Sequence, residues 1–117
     1  MRDEKQTARQ IFQRTLASIH IPEVMERKVA WSGSHLALPD ASVDLSQVSR
    51  VQVVAIGKAA HAMVTGLLRV VPPGTPLSGI VAAPTQPEQA VPGFEYFVAG
   101  HPVPNGESWK AAKAVLR

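Results

Sequence analysis

Val51-Gln52-Val53-Val54-Ala55-Ile56-Gly57-Lys58-Ala59-Ala60 changes character at Gly57. Up to Ile56 the run is apolar except for Gln52 and rich in β-branched side chains. That predicts a short strand buried on both faces, as in a parallel sheet. After Gly57 and Lys58 the chain turns Ala-rich as far as Val70, long enough for three turns of helix, and Pro72-Pro73-Gly74 stops it. Working outward, Ser78-Gly79-Ile80-Val81-Ala82-Ala83 reads as the next strand and residues 84–93 as a Pro-rich loop. Phe94-Glu95-Tyr96-Phe97-Val98-Ala99 reads as a third strand, alternating enough to lie nearer a sheet edge. Gly100-His101-Pro102-Val103-Pro104 is a stiff turn, and Asn105 is placed to cap a last helix through Trp109, Ala112 and Val115. Strand, helix, strand, strand, helix implies an α/β fold of three layers with right-handed crossovers, in residues 48–117.

Residues 1–47 read differently. Ala8, Ile11, Phe12, Leu16 and Ile19 recur at helical spacing behind the charged start Met1-Arg2-Asp3-Glu4-Lys5. Such an amphipathic helix is expected to pack on the α/β core. His20-Ile21-Pro22 ends it, and Pro22 opens a shorter helix with Val24, Met25 and Val29 on one side. Residues 31–47, with Ser32-Gly33-Ser34 and Pro39-Asp40, read as a linker with at most a brief extended piece at Leu36 and Leu38.

Composition narrows the function classes. The chain has 117 residues, 45% hydrophobic and 18% charged, which suits one globular domain and excludes a wholly disordered chain. No apolar stretch approaches the roughly 18 residues of a membrane span, and no secretory leader pattern is present, so no membrane partner and a cytoplasmic address are expected. A net charge of +3 with scattered Lys and Arg argues against nucleic acid. With no Cys, disulfides, Cys-based zinc sites and thiol catalysis are excluded. The histidines show no metal-ligand spacing, and no metal-binding residue is assigned. His61 reads as a packing or surface residue, and Trp31 and Trp109 as core anchors or interface residues.

Two places offer chemistry. At Gly57-Lys58 a tight turn leads from a strand into a helix whose free N–H groups, together with the lysine, suit a phosphate or carboxylate. Two fingerprints fail there. A Walker A loop needs Gly where Gln52 stands and Ser or Thr where Ala59 stands, and the dinucleotide pattern has Ala55 in place of its first Gly. A plain turn with a solvated lysine is the competing reading. The second place is the Gly100-His101-Pro102-Val103-Pro104 turn, where His101 can donate to an anion or simply stand exposed. Both turns follow a strand and precede a helix, so both are expected on one rim.

Three stretches, residues 50–63, 77–81 and 99–105, resemble the N-terminal part of the class II glycerate 2-kinases. These are the MOFRL-associated kinases, whose relatives often carry the name hydroxypyruvate reductase. The resemblance covers most of the chain, and the pairing of Gly57-Lys58-Ala59-Ala60 with Gly100-His101-Pro102-Val103-Pro104 is its most specific part. It implies a Rossmann-like fold with a mostly parallel, incomplete sheet and a second domain lying elsewhere. It further implies ATP and Mg2+ as cofactors, and transfer of the γ-phosphoryl group to the 2-hydroxyl of D-glycerate. By the same resemblance Lys58 is the catalytic lysine, and Gly57, Lys58 and His101 bind substrate or phosphate. Asn105 stands where the family commonly has Asp. The family's Ser-Gly-Gly-Gly-Ser segment does not occur, so the chain is expected to be an N-terminal piece, inactive alone. Its free sheet edge should make it associate, giving a homo-oligomer. The alternatives are a phosphosugar-binding sugar-isomerase-like domain, which usually has Ser where Ala59 stands, and a non-catalytic anion-binding or interaction module.

Overall fold

A computed structural model describes residues 3–117. Met1 and Arg2, which begin the charged N-terminal run, lie outside the described residues. The elements are α1 (Glu4–Ser18), α2 (Ile21–Lys28), β1 (Ala30–Ser32), β2 (His35–Ala37), β3 (Ser42–Asp44), β4 (Val51–Ile56), α3 (Ala60–Val70), β5 (Leu77–Ala83), β6 (Phe94–Val98) and α4 (Gly106–Val115).

The molecule is built around β5, whose last five residues are all buried. Both neighbours run parallel to it, in the order β4-β5-β6. Val53 pairs with Gly79 and Ala55 with Val81 on one side, and Val81 pairs with Tyr96 on the other. Strand residues alternate between faces, so Val53, Ala55, Gly79, Val81, Ala83, Phe94 and Tyr96 share one face. Ala60 and Val64 of α3 form the core there with Val81 and Ala83. Val81 is 1% exposed, and burying such a side chain contributes about 1.5–3 kcal/mol. Gly79 has no side chain because the Phe94 ring occupies the space a Cβ would need. On the opposite face α4 lies across β5 and β6 with Ala111 and Ala114 buried. The fold is therefore α/β in three layers with a parallel main sheet, compatible with a Rossmann-like arrangement.

Three expectations need correction. The first concerns β4, which is not buried on both faces. It is an edge strand, and α4 covers β5 and β6 instead, so Val54 is 44% and Ile56 74% exposed. Continuous apolarity was legible; the missing cover was not. The second concerns residues 31–47, where β1, β2 and β3 form a separate antiparallel sheet in place of a linker. The turn residues read as loop are its hairpin corners. Gly33 takes φ 56°, and Ser32 pairs with His35 across it. Asp44 accepts a hydrogen bond from the Ser46 N–H at 2.9 Å, which lowers its pKa from the ordinary carboxylate value. That small contribution to stability is complete above the unfolded pKa and fades as pH falls through the folded one.

The third correction concerns α1. None of its residues is buried, and Ile11, Phe12, Leu16 and Ile19 are 50–64% exposed. The helix that does seat itself is α2, which packs on α3. Gly66 makes this possible, since a Cβ there would lie 2.6 Å from Met25 Cβ and 2.9 Å from Pro22 Cα. Replacing Gly66 by Val should therefore push the helices apart and destabilise the fold by roughly 1–3 kcal/mol. Urea unfolding followed by circular dichroism measures this; an unchanged midpoint would show that α2 is not held against α3.

Candidate anion-binding site

Gly57 follows β4 with φ 108°, a conformation that favours glycine, and its N–H donates to the Ala82 carbonyl at 2.9 Å. The chain then turns at Lys58 and Ala59 into α3, which has no side-chain cap at its N-terminus. Lys58 is exposed and makes no ion pair or side-chain hydrogen bond among the described residues. The Ala60 N–H donates to the Gly57 carbonyl at 3.2 Å, and the uncapped start leaves the next N–H groups of the turn and the positive end of the dipole. Lys58 adds a mobile charge beside it.

The second turn leaves the carboxyl end of β6. The Ala99 N–H still donates to the Ala83 carbonyl at 2.9 Å before the chain bends away. Gly100 is packed against the Val103 carbonyl and lies where a Cβ would sit 3.0 Å from Asn105 N. Its N–H donates to Ser108 Oγ at 3.1 Å. Asn105 and Ser108 form a reciprocal capping box at the start of α4, and Asn105 Nδ2 donates to the Val98 carbonyl at 3.4 Å. His101 is exposed, and the His101–Pro102 peptide is cis.

Because all three strands are parallel, the Gly57-Lys58 and Gly100-His101 turns leave the same end of the sheet. They flank β5 and are separated by two strand spacings, about 10 Å at the backbone. The chain also changes faces here: α3 lies on one side of the sheet and α4 on the other. Ligands in open α/β sheets bind at such a switch, outside the carboxyl ends of the strands.

His61, read from the sequence as a packing or surface residue, packs against specific partners. Its Nε2–H donates to the Thr85 carbonyl at 2.8 Å, and its ring stacks on Tyr96 with centroids 6.0 Å apart. The Tyr96 hydroxyl accepts from the Val91 N–H at 2.9 Å. His61 thus ties the first turn of α3 to the loop between β5 and β6, and that loop to β6. Its position three residues after Lys58, in the first helical turn, is the only signal the sequence held. Trp109 is no core anchor: it is 63% exposed, with the Lys113 ammonium 3.6 Å from its ring centroid. Trp31 is half-buried in the small antiparallel sheet.

Residues 7–117 match the family described as domain of unknown function DUF4147. The chain belongs to the DUF4147 family. DUF4147 is the N-terminal domain of MOFRL-associated glycerate kinase-like proteins. A solved structure of the PH0495 protein from Pyrococcus horikoshii OT3 has the same fold, with a TM-score of 0.74 at 18% identity. The alignment covers 99% of this DUF4147 chain and 26% of that one, so the chain spans about a quarter of the solved protein's length. The comparison with curated proteins returns no match.

The capping box makes a direct test of how the second turn is held. Asn105→Ala removes the cap and the bond to Val98, and should cost about 1 kcal/mol, within the usual 0.5–2. Asn105→Asp keeps the capping oxygen and loses the 3.4 Å bond to Val98, so it should lose less stability than Asn105→Ala. Thermal unfolding of both variants checks this, and equal losses would show that the cap does not hold the turn.

Proposed function

We propose that this chain supplies one wall of a kinase site that moves the ATP γ-phosphoryl group to the 2-hydroxyl of D-glycerate. The observation that carries the reading is the unpaired Lys58 at the uncapped start of α3, on the rim where the chain changes faces. Membership of DUF4147 supports it at the level of kinase-like proteins. Phosphoryl transfer asks a protein mainly for positioning and for charge on the equatorial oxygens. Gly57 lets the backbone approach a phosphate closely. Lys58 and the N–H groups of His61 and Ala62 in the first turn of α3 stabilise the charge that builds on it. His101 reaches the same rim and donates to an oxygen of the substrate or phosphate.

Magnesium does not fit this chain alone. Among the described residues no group of three or more His, Asp or Glu side chains could hold a metal ion. Its ligands belong to the second wall or to ATP. The same gap explains why the isolated chain should not turn over.

A longer polypeptide that carries this segment with its second domain should release ADP from ATP in the presence of D-glycerate, followed by a coupled assay. Lys58→Ala should lower kcat by about 100- to 1000-fold, by analogy with loss of one oxyanion donor. Unchanged turnover in that variant removes Lys58 from the chemistry. Turnover by the 117-residue chain alone would contradict the two-wall reading.

A further inference from the structure

We propose that His61 is a positioning residue of the rim: by holding the Thr85 carbonyl it keeps the loop after β5 in the place that lets an anion bind between the Gly57-Lys58 and Gly100-His101 turns. This rests on the reading of the rim as an anion site. His61 does not touch the anion; it acts through the loop.

The carboxyl end of a parallel strand presents carbonyl oxygens, and an oxygen left facing an anion repels it. At the end of β5 these oxygens have partners. The Ala82 carbonyl accepts from the Gly57 N–H at 2.9 Å and the Ala83 carbonyl from the Ala99 N–H at 2.9 Å. Both bonds join backbone to backbone and follow from the pairing of the strands. Thr85 lies past the last residue of β5, where no neighbouring strand supplies a donor. Its carbonyl is bound by a side chain instead, His61 Nε2 at 2.8 Å. A carbonyl oxygen only accepts, so Nε2 carries the proton.

The far end of the same loop is fastened through the same ring. His61 stacks on Tyr96, with centroids 6.0 Å apart and planes at 30°. The Tyr96 hydroxyl accepts from the Val91 N–H at 2.9 Å, and the Val91 carbonyl accepts from the Phe94 N–H at 3.1 Å. Residues 84–93 are thus held near both ends, at Thr85 and at Val91, by one stacked pair from α3 and β6. Pro84, Pro87 and Pro92 restrict the loop further. His61 sits in the first turn of α3, three residues after Lys58. The group that fixes the loop therefore belongs to the same helix start as the charge that meets the anion.

The test uses a longer polypeptide that carries this segment with its second domain, titrated calorimetrically with ATP and, separately, with D-glycerate. One brings phosphates and the other a carboxylate, and Lys58→Ala identifies which of them sits at the rim by weakening it. His61→Leu fills the space and donates nothing, so it should weaken that same ligand roughly 10-fold. His61→Gln carries an amide nitrogen where Nε2 stands and should recover most of the parent affinity. His61→Asn carries its amide nitrogen where Nδ1 stands, short of Thr85. It should behave like His61→Leu, and it serves if the apolar variant folds poorly. Parent-like affinity in His61→Leu and His61→Asn, or a Gln variant that binds no better than the Asn variant, overturns the role of His61 and leaves the anion site standing. If Lys58→Ala weakens neither ligand, the anion site falls and the role of His61 with it.

Discussion

The burial of β5 is the constraint on which everything else depends. Five consecutive residues, Gly79 to Ala83, are out of water, so both faces of the strand need cover. Small side chains let the cover come close. Ala60 and Val64 approach from one side, Ala111 and Ala114 from the other. A chain that must place a helix on each face, with parallel strands between, starts both helices at the same end of the sheet. That end holds Gly57-Lys58 and Gly100-His101. The geometry of the rim is thus a consequence of how an apolar strand is buried, before any ligand is considered.

The main sheet was legible because its signals are local. The bounds of β4 follow from a β-branched run cut off by Gly57, and α4 follows from Asn105 and the Ser108 that completes its cap. What failed depended on partners. Nothing in Val51–Ile56 itself says whether a helix lies over Val54, so the bare face of β4 was invisible. The hairpins of residues 30–44 hid behind the opposite ambiguity, since Gly33 and Pro39-Asp40 serve equally as linker or as tight turns. An amphipathic pattern shows that α1 has an apolar stripe; it does not supply the surface that covers it. The rim was readable at Lys58 and His101, whereas the role of His61 needed Thr85 and Tyr96, which lie far away in sequence.

The chemistry at the rim favours an anion over other ligands for a simple reason. Lys58 and the uncapped start of α3 are donors, and no carboxylate is paired with Lys58 among the described residues. A phosphosugar module would place a hydroxyl where Ala59 stands, and Ala59 offers none. His61 adds stiffness: it anchors the loop after β5 to α3, so the floor between the two turns is fixed while Lys58 remains free to move. A fixed floor with one mobile charge suits a phosphate group that must be held while its bonds rearrange.

Phosphate binding at the carboxyl end of the sheet would give Lys58 and His101 their shared role. A titration of isotope-labelled chain with ATP, followed by amide chemical shifts, tests it directly. Shifts are expected to concentrate at residues 57–62 and 99–105 and to weaken in Lys58→Ala. Shifts centred instead on Arg50 and Arg117, at the amino end of the strands, would contradict it, as would no shifts at all.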